Sequence, residues 1–176
     1  MTDITNLSTV NVAISNLIAV VTMNNPPVNA QNRQFHNDLT LAFDVLSDRN
    51  DVRSIVLTGA GKCFSAGADI KGRASQESDL GDHWVHSRRV RECFYSIMEC
   101  RKPVIAAING AALGAGLAVA ASADILIASE SASVGLPEIN VGLLGGGRHA
   151  MRLFSHSKTR RLMLTGQRLS GAELYR

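Results

Sequence analysis

Two loops made of small residues are the features of this chain whose residue types and spacing suit chemistry. Residues 62–70 read Lys-Cys-Phe-Ser-Ala-Gly-Ala-Asp-Ile, and residues 109–116 read Asn-Gly-Ala-Ala-Leu-Gly-Ala-Gly. Each loop follows an apolar, strand-like run. Because small side chains leave the backbone accessible, two such loops can direct two backbone N–H groups at one oxygen atom. The chemistry indicated is stabilisation of an oxyanion; the alternative is that the small residues only permit tight packing between strand and helix.

A carboxylate, Glu138, follows the two loops. Residues 134–147 around it are mostly apolar and rich in glycine. An apolar environment raises the pKa of a carboxyl group toward the range that suits proton transfer. We therefore predict that Glu138 acts as a general acid and base, presented by a turn that Pro137 makes rigid; a solvated loop glutamate is the alternative.

These motifs, in this order, resemble those of the crotonase superfamily, the enoyl-CoA hydratases and isomerases, and the resemblance extends from about Asn11 to the last residue. It implies an α/β fold, a spiral of repeated ββα units, in a single domain over residues 1–176. It also implies an oxyanion hole for a thioester enolate, with the backbone N–H groups of Ala68 and Ala115 as donors and Glu138 as acid and base. The partner implied is an acyl-CoA thioester, so coenzyme A belongs to the substrate, and neither a separate cofactor nor a metal is expected.

The resemblance also implies a set of substrate-binding positions around the loops. The backbone of Ala66 would face the adenine of coenzyme A, and Lys71 or Arg73 would lie near a phosphate. Relatives commonly carry glycine at the second donor position, and Ala115 keeps that N–H available if its φ is negative. The substrate-binding set is Ala66, Gly67, Asp69, Ile70, Lys71, Leu113, Gly114, Pro137 and Gly146.

Ala118 is a departure from the hydratase pattern of the family. Hydratases usually place a second glutamate at this position, so that two carboxylates hold the attacking water. A single carboxylate is enough for an isomerase that moves a proton between two carbons. Some family isomerases keep an aspartate where this chain has Gly146. We expect a hydratase-type enzyme; an isomerase with one carboxylate and a non-catalytic acyl-CoA-binding subunit remain alternatives.

The composition, 45% apolar and 19% charged, is that of a globular domain. No apolar run has the length of a membrane span, and the first residues lack the pattern of a signal peptide, so we expect a cytoplasmic protein without membrane association. From Arg148 to Arg176, seven Lys and Arg residues accompany one acid, which gives a local charge of +6. A solvated helix face, contacts to coenzyme A phosphates and nucleic-acid binding all fit this charge. We expect no nucleic-acid binding, because aromatic residues are only 5% of the chain and no base-reading motif is present.

The elements that must position the loops follow from apolar periodicity. Alternating strands and helices predict an α/β layout with mainly parallel strands after an initial hairpin. The predicted elements are a hairpin over residues 10–14 and 17–23, a helix over 32–48, a strand over 54–58, a polar loop over 72–83, a helix with Val90, Phe94 and Ile97 on one face, a strand over 104–108, a buried helix over 114–122 and a strand over 124–128.

The last residues predict the start of another helix. Ser170 and Glu173 have the spacing of a capping box, yet the sequence ends three residues after Glu173. Crotonase relatives continue with helices that cover the acyl-CoA site and build trimers. We therefore expect that the C-terminal helical part of the fold is missing from these 176 residues and that the full-length protein is a homo-oligomer, a trimer or hexamer; a natural short form is the alternative.

Overall fold

The computed structural model describes residue 4, residues 6–70 and residues 79–174. The strands are β1 (Val10–Ser15), β2 (Ile18–Met23), β3 (Ala30–Gln31), β4 (Ser54–Gly59), β5 (Cys63–Ser65), β6 (Gly67–Ala68), β7 (Val104–Ile108), β8 (Ala111–Leu113), β9 (Ile125–Ala128), β10 (Ser133–Gly135) and β11 (Arg168–Ser170). The helices are α1 (Arg33–Asp48), α2 (Leu80–Met98), α3 (Ala115–Ala120), α4 (Gly147–Ala150), α5 (His156–Thr165) and α6 (Gly171–Leu174), and a 3₁₀ helix spans Pro137–Val141.

The strands form three sheets. The largest has the order β1-β2-β4-β7-β9, the second has the order β11-β10-β8-β5, and β3 pairs with β6. After the antiparallel β1–β2 hairpin, the neighbours in the largest sheet are parallel. Each of the pairs β4–β5, β7–β8 and β9–β10 gives one strand to each of the two larger sheets. This repetition is the predicted spiral of ββα units, so the α/β prediction is confirmed.

Helix α1 covers the largest sheet with the face that the periodicity predicts. Asn32 caps its N-terminus, since the side-chain oxygen accepts a hydrogen bond from the backbone N–H of Phe35 at 2.8 Å. Phe35, Leu39, Ala42 and Leu46 are fully buried in the hydrophobic core. The predicted helix boundaries at residues 32 and 48 are confirmed.

Helix α2 begins earlier than the sequence predicts. The expected loop extends to His83, but α2 begins at Leu80, because the Asp79 carboxylate caps it by accepting from the backbone N–H of Asp82 at 2.8 Å. Leu80 and Trp84 are exposed, so this first part of α2 has no apolar periodicity to reveal it. Residues 72–78 of the expected loop lie outside the described residues. Farther along α2, Phe94 and Ile97 are buried as predicted.

The capping box near the end of the chain is formed. The Glu173 carboxylate accepts hydrogen bonds from the backbone N–H and the hydroxyl of Ser170, both at 2.9 Å. The single helical turn α6 follows, which confirms the predicted helix start. No helix within the described residues combines the length and apolar character needed to cross a membrane.

Glycine controls how helix α3 meets the first loop. A methyl group on Gly116 would collide with the backbone carbonyl oxygen of Ser65 in β5. Both residues are buried, and the atoms nearest to the added methyl are the backbone O and C and the Cβ of Ser65, which cannot rotate away. The position of α3 relative to β5 therefore depends on the missing side chain.

We expect Gly116→Ala to destabilise the protein by about 1–3 kcal/mol, the usual cost of forcing extra atoms into a packed site. Gly81→Ala in α2 is the matched control, because its added methyl meets only the flexible Asp79 side chain. There the gain from replacing a helical glycine and the small shift required of the capping Asp79 carboxylate should nearly cancel, so stability should change by less than about 0.5 kcal/mol. Urea unfolding measures both changes; equal stability of the two variants would show that the contact with Ser65 is not tight.

Candidate functional site

The two small-residue loops lie directly against each other. A methyl group on Gly67, whose φ is +94°, would lie 2.6 Å from the carbonyl oxygen of Leu113 and 3.3 Å from the backbone nitrogen of Ala115. No side chain fits between the two segments. The structure thus brings the backbone N–H of Ala115 next to the residue that precedes Ala68, the other predicted donor.

Strand β6 holds Ala68 by pairing with β3. Gln31 lies opposite Ala68, and the backbone N–H of Asp69 donates to the carbonyl oxygen of Gln31 at 3.0 Å. Earlier in the loop, the N–H of Ala66 donates to the carbonyl oxygen of Val28 at 3.0 Å. The pairing leaves Ala66, Ala68 and Ile70 exposed, whereas Gly67 is buried. The predicted substrate-binding residue Lys71 lies outside the described residues.

Ala115 is the first residue of α3 and follows a glycine that sets its direction. Gly114 has φ +55°, donates from its N–H to the carbonyl oxygen of Gly135 at 2.9 Å, and accepts from the N–H of Ala118 at 3.1 Å. Among the described residues, non-glycine residues with positive φ are Asn16, Leu17 and Asn29, so φ at Ala115 is negative. The condition that lets alanine replace glycine is therefore met. As a first-turn residue of α3, Ala115 has no helical acceptor for its N–H.

Glu138 lies beside the N-terminal residue of α3. A methyl group on Gly114 would lie 2.7 Å from Glu138 Oε1, and methyl groups on Gly145 and Gly146 would lie 3.8 and 3.7 Å from it. Glu138 is in the 3₁₀ helix that begins at Pro137. Its carboxylate therefore occupies a space bordered by glycine backbone, which the predicted substrate-binding residues Gly114 and Gly146 help to form.

The Glu138 carboxylate is poorly solvated. Oε2 is buried and has no hydrogen-bond partner among the described residues. Burial raises the pKa of the Glu138 carboxyl above its ordinary value, and the backbone N–H of Glu138 opposes that rise. A carboxyl group with a raised pKa is a better proton donor and acceptor near neutral pH.

A series of contacts connects a carboxylate to two candidate N–H donors. Glu138 borders Gly114, Ala115 follows Gly114, and Ala115 borders Gly67, which precedes Ala68. Such an arrangement suits a substrate whose oxygen becomes negative while a nearby carbon gains or loses a proton. Leu113, which is buried, and Pro137, which is half-buried, complete the predicted set around these contacts.

At position 118 in α3, where a second carboxylate is expected in a hydratase, this chain has an alanine. Its side chain is buried, and its carbonyl oxygen accepts a hydrogen bond from the hydroxyl of Ser122 at 2.9 Å. In the described ranges, no group of three or more His, Cys, Asp or Glu side chains is arranged to hold a metal ion.

Two asparagines that hold the loops have no role in the sequence-based prediction. Nδ2 of buried Asn29 donates to the carbonyl oxygens of Ala60 and Cys63 at 3.1 and 2.8 Å. Nδ2 of Asn109 donates to the carbonyl oxygens of Gly59 and Gly61, both at 2.9 Å. Asn109 is part of the second motif, but the sequence indicates its structural role only weakly, through its position as a polar residue directly after an apolar strand.

The basic segment at the end of the sequence lies mainly on the surface. Five of its arginines, Arg148, Arg152, Arg160, Arg161 and Arg168, are exposed. This exposure agrees with a solvated face and leaves contacts to an anionic ligand available.

Comparison with known proteins identifies sequence and structural relatives. The family model described as enoyl-CoA hydratase/isomerase matches residues 13–176. A probable enoyl-CoA hydratase of Bacillus subtilis is 37% identical over 170 residues, covering 95% of this chain and 66% of the relative. A (7aS)-7a-methyl-1,5-dioxo-2,3,5,6,7,7a-hexahydro-1H-indene-carboxyl-CoA hydrolase of Mycobacterium tuberculosis is 36% identical, with 89% of this chain and 63% of the relative covered.

A solved structure shows the same fold. The crystal structure of an enoyl-CoA hydratase/carnithine racemase from Magnetospirillum magneticum matches with a TM-score of 0.90 and 25% identity, covering 97% of this chain and 66% of that protein. The chain thus spans slightly less than two-thirds of the length of the relatives it matches.

The half-buried Glu138 carboxylate, whose Oε2 is buried without a partner in the described ranges, should lower stability at neutral pH. Its folded-state pKa lies above the unfolded-state value, so the penalty is absent below the unfolded value and grows as the pH rises through the folded one. Glu138→Gln should therefore melt at a higher temperature than the unmodified protein at pH 7, with the difference vanishing near about pH 3, below the ordinary glutamate value. The exposed Glu130→Gln is the control. A Glu138→Gln variant that melts no higher at pH 7 would contradict the burial argument.

Proposed function

The chain belongs to the enoyl-CoA hydratase/isomerase family, and from this membership we propose that the protein is an acyl-CoA enzyme that stabilises a thioester enolate. The observation that carries the proposal is the contact series from Glu138 through Gly114 and Ala115 to Gly67, which joins a half-buried carboxylate to two candidate backbone donors. Coenzyme A enters as part of the substrate, and the reaction needs no separate cofactor.

In the proposed mechanism, the thioester carbonyl oxygen accepts hydrogen bonds from the N–H groups of Ala68 and Ala115. Negative charge grows on this oxygen as the enolate forms, so the two fixed donors stabilise the transition state more than the bound substrate. Removal of one such donor typically costs about 3–4 kcal/mol of activation free energy. Backbone donors are suited to this because they are already oriented by β6 and α3.

Glu138 moves the proton in this mechanism. Its carboxylate is bordered by glycines and burial raises its pKa, which brings its proton affinity closer to that of the reacting group. In a hydration, Glu138 would activate water for attack at the β-carbon and return a proton to the α-carbon. In an isomerisation, it would take a proton from the α-carbon of a 3-enoyl-CoA, which forms the dienolate, and return that proton to the γ-carbon to give a 2-enoyl-CoA.

We favour a hydratase-type reaction, since relatives of this chain are named probable enoyl-CoA hydratases. Ala118 supports the second candidate, an enoyl-CoA isomerase, because one carboxylate is sufficient for a proton shift. The Mycobacterium tuberculosis relative is named a hydrolase of a carboxyl-CoA, so the family likeness does not fix the reaction. The missing second carboxylate also supports a third candidate, a subunit that binds acyl-CoA without converting it.

We further propose a cytoplasmic homo-oligomer, a trimer or hexamer, that binds neither nucleic acid nor membrane. Apolar side chains on the edge strand β9 support the oligomer: Ile125 is 53% exposed and Ile127 is 61% exposed. Gel filtration with light scattering on the full-length protein tests this proposal.

Glu138→Gln should lower kcat for enoyl-CoA by at least about 100-fold, since the variant cannot transfer the proton. Binding of a saturated acyl-CoA should change little, because the proposed donors to the thioester are backbone groups. Glu130→Gln, which replaces an exposed glutamate, is the matched control and should retain full activity. Unchanged turnover in Glu138→Gln would show that Glu138 does not transfer the proton.

To distinguish the reaction types, 2-enoyl-CoA and 3-enoyl-CoA are supplied individually and the products are separated by chromatography and detected by mass spectrometry. We expect a mass gain of one water from 2-enoyl-CoA, as in hydration. Conversion of 3-enoyl-CoA into 2-enoyl-CoA without a mass change would favour the isomerase. Tight acyl-CoA binding with neither conversion would favour the non-catalytic subunit.

A further inference from the structure

A chain of buried polar side chains lies behind the strand that carries Ala68. Ser65, Gln31 and His36 are each at most 2% exposed. Gln31 Nε2 lies 3.2 Å from Ser65 Oγ, and Gln31 Oε1 lies 3.4 Å from His36 Nε2, a long hydrogen bond. Ser65 is in β5, Gln31 is in β3 and His36 is in α1, so the chain connects three elements around the first loop.

The donors and acceptors in this series of three side chains have one consistent assignment. The Ser65 hydroxyl has a single proton, which it donates to the carbonyl oxygen of Asn29 at 2.8 Å. Ser65 Oγ therefore accepts from Gln31, and Gln31 must present its amide nitrogen to Ser65 and its amide oxygen to His36. His36 in turn must carry its proton on Nε2.

The remaining atoms of His36 agree with this assignment. Nδ1 is buried and has no hydrogen-bond partner within the described part of the chain, as expected for the unprotonated nitrogen of a neutral ring. Burial, with smaller contributions from the nearby His86 and Arg89, lowers the pKa of His36 to about 4. The ring is therefore neutral at physiological pH, with a single N–H available for Gln31.

We propose that Gln31 is a positioning residue for the oxyanion donor at Ala68, an inference that rests on the proposed function. Gln31 lies opposite Ala68 in the β3–β6 pair, and its carbonyl oxygen accepts the N–H of Asp69. Strands β3 and β6 have only two residues each, so their ladder alone gives little resistance to displacement. The Gln31 side chain adds a connection to Ser65, whose hydroxyl also accepts from the N–H of Gly67 at 3.3 Å.

His36 fixes the orientation of the Gln31 amide. With no N–H at residue 36, the amide oxygen of Gln31 loses its donor, and the amide can rotate so that its oxygen faces Ser65. Ser65 Oγ, which accepts from the Gly67 N–H, would then no longer be hydrogen-bonded to the Gln31 side chain. Small displacements of a donor are costly to a reaction that depends on its position.

The test compares Gln31→Met with Gln34→Met. Gln34 is the matched control because it is exposed and donates its side-chain N–H to Asp38, away from the site. We expect Gln31→Met to lower kcat for enoyl-CoA about tenfold with KM nearly constant, since an N–H shifted from its oxygen weakens transition-state binding most. Gln34→Met should leave both constants unchanged. A kcat for Gln31→Met equal to that of the control overturns the proposal.

Hydrogen exchange provides a second measurement that does not depend on turnover. The amide of Asp69 should exchange faster in Gln31→Met than in Gln34→Met, while the core amides of β4 and β7 keep their protection. If the unmodified protein converts no acyl-CoA, the proposed function fails, yet the exchange rate at Asp69 still reports whether Gln31 holds the strand. Unchanged exchange at Asp69 overturns the positioning role.

Variants at His36 keep the proposal testable should Gln31→Met fold poorly. His36→Gln retains an N–H donor toward Gln31 and should restore most of the kcat that His36→Leu loses. A kcat for His36→Gln no higher than that for His36→Leu would show that packing, and not the hydrogen bond, is what residue 36 contributes.

Discussion

The candidate site depends on contact between two backbones. Gly67 meets Leu113 and Ala115, and Gly116 meets Ser65, without a side chain between them. Replacing hydrogen by methyl at either glycine would separate α3 from the first loop. A substrate oxygen can be held by N–H groups from both segments only if the segments approach this closely. The close approach of the two segments therefore requires the small residues of the motifs.

The same closeness determines the environment of Glu138. Since Gly114, Gly145 and Gly146 border the carboxylate, no polar side chain from these positions can solvate it. One carboxylate oxygen is buried without a donor in the described region, and burial raises the pKa of the group. An ionised carboxylate in such a place costs stability but gains reactivity, a compromise that is common at functional sites.

The sequence predicts the long elements well and the short ones poorly. Helix α1 and strands β4 and β7 carry enough apolar positions to show their periodicity, and both motifs identify the loops that meet in the fold. Strands β3, β5 and β6 have two or three residues, too few for a period, and they form because neighbouring strands supply partners. The start of α2 depends on the Asp79 cap, which an apolar pattern does not register. The buried roles of Asn29 and Gln31 depend on contacts with residues more than thirty positions away, so no local pattern reveals them. His36 has its role only through Gln31.

The most direct measurement of the central claim is a crystal structure of the protein with a saturated acyl-CoA such as butyryl-CoA, which binds like a substrate but cannot be hydrated. The account predicts that the thioester carbonyl oxygen lies about 2.7–3.1 Å from the backbone nitrogens of both Ala68 and Ala115, with the Glu138 carboxylate facing the α- and β-carbons. A thioester bound elsewhere, or a carbonyl oxygen that contacts neither nitrogen, would contradict it.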